Sequence, residues 1–457
     1  MAVVRHCGAC SSTSTESPSR EASKLLRLEL PVEETLATQS KSFDLDGALD
    51  LLLDPITGSK AHGMQIEGIC TIHVDDLFMT GNSTFIKRVV AGLKRDFEVG
   101  SEDINDVLFV GQRVRWQNKG QKDACITVDQ ERNIEELSEI TFDSTLGDAI
   151  TLTRELHTRY RSVLGQINWL QSRTQWQSCY AFSRCASAAA APTVGDGRAL
   201  NKLVRKIRSE QIILRFWPLR GTCRIIGYPD AAYRNNADKS SQRGQVIFIA
   251  EPRKKDTISP IGSLVDYESQ KIKRTVLSTT VSELYAFMKC YGTCQFLRGL
   301  WMDLTGSAAE IHMRTDANNL VTTASTTHLP EQKETIHMIN QLRTEASSGS
   351  IDDLAHVVSA DCLADCLTKA SAKPDYLLKA VETGQLPNVD KHPLFRELMK
   401  NRHKAYLASW ITRHLNHSSD IVTFAGLQVQ DNIQECLFSK AKCTPSLGYD
   451  CSLDHSS

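Results

Sequence analysis

Four acidic residues stand at similar places in this chain. Asp230 closes the apolar run 224–228, and Glu283 falls just after Ser278-Thr279-Thr280, where a long helical pattern begins. Asp316 follows the apolar run 310–314, and Asp365 lies in the short segment 363–369. Cleaving a phosphodiester at neutral pH requires charge to be stabilised on both the attacking and the leaving oxygen. Two divalent ions about 3.5–4 Å apart do this, and hard cations such as magnesium take carboxylate oxygens. Taken singly, an Asp after a strand is a turn former, and a Glu near a helix start is a partner of the helix dipole. The order Asp, Glu, Asp, Asp across strand, helix, strand and helix is what points to shared metal chemistry.

The elements that must position these groups follow from the apolar periodicity. Strands are expected over 224–228, 244–250 and 258–265, then a long helix over 280–300 and a strand over 310–314. A further helix, a strand over 351–358 and a short helix over 360–369 complete the pattern. This order of elements makes an α/β domain over 221–370 the expectation.

The same stretch carries the words GYPDA from Gly227, DKSSQRG from Asp238, VLSTTVSELYA from Val276, TDANN from Thr315 and LADCLTK from Leu363. In that order they resemble the ribonuclease H (RNase H) domain of copia-type LTR retrotransposon Pol polyproteins. The resemblance implies an RNase H-like fold, a mixed five-stranded sheet with flanking helices, and a two-metal nuclease that cuts the RNA strand of an RNA–DNA hybrid. It also implies Mg2+ as cofactor, with Mn2+ able to substitute, held by Asp230, Glu283, Asp316 and Asp365. Where the family has a Lys-His pair, this chain reads Gln332-Lys333-Glu334-Thr335-Ile336-His337, so His337 is expected as a surface or core residue rather than a proton shuttle.

Upstream, residues 66–74 read as a strand, Asp75-Asp76 as an acidic tip and 77–79 as a second strand. The Gly81-Asn82 turn signal, an amphipathic helix over 85–97 and a strand over 107–116 follow. His73-Val74-Asp75-Asp76 resembles the palm hairpin of reverse transcriptases, and Tyr160 to Leu170 resembles the family's segment after the palm. The resemblance implies that Asp75 and Asp76 are polymerase metal ligands. The further palm carboxylate has no match, and Asp44, Asp46 and Asp50 do not form its motif. The expectation is a truncated element whose polymerase is vestigial or needs a separate fragment. The domain reading is a disordered leader over 1–40, a partial palm over 41–150 and a helical thumb or connection over 151–220. The RNase H-like domain over 221–370 precedes a partly helical tail over 371–457, with helices over 375–383 and 394–410. The alternative reading is a catalytically inactive retroelement remnant or nucleic-acid-binding protein.

With 41% hydrophobic and 23% charged residues and a formal net charge of -1, the chain can build a core but has no global field for nucleic acid. Any grip must be local. The helical stripe over 203–216 is basic, with Lys202, Arg205, Lys206 and Arg208, and reads either as a solvated face or as a surface for the phosphate backbone. The 14 cysteines do not show four-ligand zinc spacing. Cys7 and Cys10 form a lone CxxC, and Cys290/Cys294 and Cys362/Cys366 would each share a face if helical. The N-terminus lacks an apolar h-region and no apolar run reaches membrane-spanning length, so an intracellular protein with reduced thiols is expected.

Overall fold

Short apolar strands need partners on both edges, and the first six residues find them. Strand β1 (Ala2–His6) lies between β3 (Asp76–Gly81) and β4 (Val99–Ile104), while β2 (Gly68–His73) covers the other edge of β3. Every pairing in this four-stranded sheet is antiparallel. Helix α1 (Ser83–Asp96) packs Val90 and Leu93 with Val4 and Met79, and the Asn82 side chain caps it by accepting from the Phe85 N–H at 2.7 Å. The expected leader over 1–40 is therefore corrected at its start, because buried Val3 and Val4 fill the gap between β3 and β4. The structure is a computed structural model and describes residues 1–6, 66–74, 76–219, 222–251, 260–325, 335–387, 389, 393 and 395–401. The rest of the leader, Cys7, Cys10, Asp44, Asp46, Asp50, Asp75 and all but the first residues of the helix expected over 394–410 lie outside them.

Where the pattern predicts one strand over 107–116, two form: β5 (Asp106–Phe109) and β6 (Gln112–Gln117). The turn between them puts Val110 at φ 47 and Gly111 at φ 68, the left-handed pair that reverses a tight hairpin. Strand β7 (Cys125–Asp129) and helices α2 (Glu131–Glu135), α3 (Arg154–Gln171), α4 (Cys179–Ser187) and α5 (Val194–Ser209) follow. Tyr160, Ile167, Leu200, Val204 and Ile207 build their core. A capping box, Thr193 with Asp196, starts α5. The helical stripe expected to run to Phe216 stops at Ser209. Leu214–Phe216 becomes β8 and pairs antiparallel with β7, since the free edge of β7 offers backbone hydrogen bonds that a continued helix would leave unmade. No described helix is long and apolar enough to cross a membrane.

The C-terminal sheet has the order β11-β10-β9-β12-β13. Its strands are β9 (Arg224–Ala232), β10 (Gln242–Ala250), β11 (Gly262–Lys271), β12 (Glu310–Thr315) and β13 (Asp353–His356). The first three pair antiparallel, while β12 runs parallel to β9 and β13 parallel to β12. The expected mixed five-stranded α/β sheet with flanking helices is present. Parallel neighbours need crossovers, supplied by α6 (Thr279–Thr305), α7 (Asn318–Ser325) and α8 (Ile336–Ser348). Side chains alternate between faces: Ile225, Ile247, Ile311 and Met313 meet α6 through Phe287, Cys290 and Cys294. Ile226, Tyr228, Val246 and Phe248 meet Trp176, Leu377 and Val381 on the other face, the last two from α9 (Asp375–Thr383).

Two expectations shift. The third strand runs over Gly262–Lys271 rather than 258–265, because its polar second half still pairs with β10 up to Gln242. The helix expected over 360–369 is two 3-10 turns, Ser359–Asp361 and Asp365–Leu367, so Cys362 and Cys366 share no helix face.

Candidate active site

Strand register brings the first two acids together. Gly227 of β9 lies opposite Met313 of β12 in the parallel pair, and Asp230 and Asp316 each stand three residues further in the same direction. They emerge side by side at the carboxyl ends of adjacent parallel strands. Helix α6 brings the third. Its N-cap Ser278 accepts from the Val281 N–H, which starts the helix so that Glu283 lies one turn in, and the Ala231 N–H bonds to the Glu283 carboxyl group. Gly227 allows α6 to lie close, since a Cβ there would sit 2.9 Å from both the Cys290 and Cys294 sulfurs. Asp230, Glu283 and Asp316 line one open cleft of about 530 Å³, with Tyr233, Asn235 and Lys369 among its other walls.

The fourth acid arrives differently. Asp365 is not among the cleft-lining residues; it opens the second 3-10 turn, and its carboxylate accepts a hydrogen bond from Lys369. The Lys369 Nζ is 4.0 Å from Asp230 Oδ2, so the lysine links Asp365 to the cleft. Thr368 donates its hydroxyl to Asp230 Oδ2. Gly244 of β10, opposite Asp230 in the antiparallel pair, permits this approach. A Cβ there would lie 2.9 Å from Thr368 Cγ2 and 3.1 Å from Leu367 Cβ. Asn235 ties the arrangement to the preceding helices, donating to the Thr368 carbonyl and the Tyr180 hydroxyl, each at 3.1 Å.

Asp230 is 1% exposed and Glu283 8% exposed. Burial pushes the Asp230 carboxyl up to about 6; Lys369 and the Thr368 hydrogen bond oppose this, while Asp316 and Asp365 add to it. Burial, then the charges of Asp230 and Asp316, push Glu283 up to about 9. Burial acts to lower Lys369, yet Asp230 and its bond to Asp365 hold it above its ordinary value. The Glu283 Oε2 is buried and has no hydrogen-bond partner. An orphaned carboxylate oxygen beside other carboxyl groups is a place a divalent cation satisfies, so the residues present fit such an ion. Among the described residues, one His/Cys/Asp/Glu group is placed to share a metal: Asp230, Asp316 and Cys362, whose ligand atoms all lie within 4.8 Å of one another.

Asp76 opens β3 directly after the tip, where Val74 takes φ 51, and it pairs in register with His73 across the hairpin; Asp75 lies outside the described residues. Lys202, Arg205, Lys206 and Arg208 are all exposed on α5. Arg205 pairs with Glu139, and Lys206 Nζ sits 3.8 Å from Glu210. His337 is exposed on α8, whereas His356, at the end of β13, bonds through Nε2 to the Asp316 carbonyl at 3.1 Å. Thr368, Lys369, Ser359 and His356 were not singled out from the sequence, although Thr368 and Lys369 stand in the same word as Asp365. The Ser359 hydroxyl donates to Asp316 Oδ2 at 3.0 Å.

No protein-family model matches the chain, and no curated protein does. Among solved structures it is similar to LC11-RNase H1 in complex with an RNA/DNA hybrid, at 17% identity and TM-score 0.24 over 32% of this chain and 94% of that one. It is similar to RNase H1 from the halophilic archaeon Halobacterium salinarum NRC-1, at 20% identity and TM-score 0.22 over 32% of this chain and 94% of that one. A foamy viral protease-reverse transcriptase in complex with an RNA/DNA hybrid matches at 15% identity and TM-score 0.39, over 72% of this chain and 39% of that one.

Proposed function

We propose that the chain is a retrotransposon-derived Pol fragment of the copia type, active as a Mg2+-dependent ribonuclease H on RNA–DNA hybrids inside the cell. The observation that carries this is the cleft itself. Asp230 and Asp316, side by side on parallel strands, face Glu283, whose buried oxygen lacks a partner. Asp230, Glu283, Asp316 and Asp365 would hold two Mg2+ ions, with Mn2+ able to substitute. When bound, such ions stabilise charge on the attacking and leaving oxygens of the phosphodiester. The chain's own residues prepare the ligands. Thr368 orients the Asp230 carboxylate, the Ala231 N–H orients Glu283, and Ser359 orients Asp316.

Residues 221–370 form the nuclease domain in this reading, with 41–150 and 151–220 as the palm-like and thumb or connection parts. Asp75 and Asp76 are assigned only to a vestigial polymerase-type metal tip, and a separate fragment would supply polymerase chemistry. Lys202, Arg205, Lys206 and Arg208 would grip the hybrid backbone without reading its sequence.

The test is cleavage of a labelled RNA–DNA hybrid by the full chain with Mg2+, beside Asp230→Asn and an EDTA control. RNA-strand cleavage lost in both controls is expected. No cleavage by folded wild type, with Mg2+ and Mn2+ both tried, would reject the enzyme and leave an inactive remnant whose candidate role is nucleic-acid binding.

A further inference from the structure

Cys362 brings a soft donor to a site otherwise made of hard ones. Its sulfur shares the group with Asp230 and Asp316, every ligand atom lying within 4.8 Å of the others. The residue is 4% exposed, and the thiol donates to the Pro229 carbonyl at 3.6 Å, a weak bond that leaves little to lose on rotation. It stands between the two 3-10 turns, in extended backbone at φ -77 and ψ 96, with its N–H bonded to the Ser359 carbonyl and its own carbonyl to the Asp365 N–H. A second, independent observation points to a ligand here. Glu283, 8% exposed, lines the same cleft as Asp230 and Asp316, and its Oε2 has no partner.

We propose that Asp230, Asp316 and Cys362 form a three-donor site for a thiophilic divalent cation of the zinc and cadmium class. Magnesium has little use for sulfur, whereas zinc accepts Cys sulfur and carboxylate oxygen as ligands, and sites of the catalytic kind use three protein donors with a fourth position open. Metal–sulfur bonds of about 2.3 Å and metal–oxygen bonds of about 2.0–2.2 Å put tetrahedral ligand atoms roughly 3.3–3.7 Å apart. The group needs about an ångström of closure to reach that. On binding, the thiol proton leaves to the buffer and a metal–thiolate bond forms, with no change of oxidation state. Since Asp230 and Asp316 also belong to the proposed nuclease centre, the soft cation and Mg2+ would exclude one another. That competition rests on the nuclease reading; soft-metal binding does not.

The test uses the full chain, stripped with EDTA and titrated with cadmium chloride alone, following the near-ultraviolet thiolate-to-cadmium absorption. The chain has 14 cysteines, so the readout is the difference between wild type and Cys362→Ser. A saturable absorption in wild type, lost or weakened at least tenfold in affinity in Cys362→Ser, is expected. Asp316→Asn, which keeps every thiol, should weaken the same transition and stands in if Cys362→Ser does not fold. Identical titrations of wild type and either folded variant would overturn the site and leave Cys362 as a packing residue. Hybrid cleavage with Mg2+, measured separately, distinguishes the two proposals. A cleaving chain without Cys362-dependent absorption keeps the nuclease and loses this site, and the opposite result does the reverse.

Discussion

Replacing Glu283 with Gln in the metal-free protein should flatten the dependence of stability on pH. Glu283 is raised from 4.5 to about 9 by burial and then by the charges of Asp230 and Asp316. Between those values the folded chain holds a proton that the unfolded chain has released. Stability from this group is therefore fully present below the unfolded value and is lost as pH rises through the folded one. One retained proton corresponds to about 1.4 kcal/mol per pH unit, or roughly 3 kcal/mol between pH 6.5 and 8.5. Asp230, raised only to about 6, has largely finished its titration below this window. His312, lowered chiefly by burial, and the buried cysteines also titrate with pH, but they are common to both proteins. The assay is urea unfolding of EDTA-treated wild type and Glu283→Gln across that range, comparing midpoints at each pH, since a chain of this size need not unfold in one step. Wild type should lose ground steadily against the variant as pH rises. Added Mg2+, which needs ionised carboxylates, should stabilise wild type more at the alkaline end. Parallel pH profiles for the two proteins would refute the picture of a buried, proton-holding Glu283 beside two carboxylates.

Further outcomes follow from the same geometry. Gly244→Val should push the 363–369 segment off β10, costing about 1–3 kcal/mol of stability by overpacking and lowering hybrid cleavage beyond what the loss of folded protein explains, as thermal melts run beside cleavage assays would show. Thr368→Val removes a hydroxyl donated to Asp230, so the Asp230 carboxyl should rise further and Mg2+ affinity fall, on the order of tenfold, by calorimetric titration. Replacing Lys206 and Arg208 together with Ala should weaken hybrid binding and reduce the slope of log affinity against log salt by about two, measured by fluorescence anisotropy; an unchanged slope removes α5 from the binding surface.

The sequence by itself determined the kinds of element and the places of the acids along them. Apolar period and turn residues are local, so the runs around Ile225, Val246 and Ile311 declare strands, and the long pattern over 280–300 declares a helix, without knowledge of the fold. The same local words mark Asp230, Glu283, Asp316 and Asp365 as standing at element ends. What only the tertiary structure decided is adjacency. Asp230 and Asp316 become neighbours because β9 and β12 pair in parallel with Gly227 opposite Met313, a register set by long-range packing. Thr368, Lys369 and Cys362 reach the acids through irregular turns laid over Gly244, where the periodicity read a helix. Ala2–His6 and Leu214–Phe216 became strands because open sheet edges elsewhere in the molecule supplied their hydrogen bonds, and segments so short carry no pattern of their own to announce it.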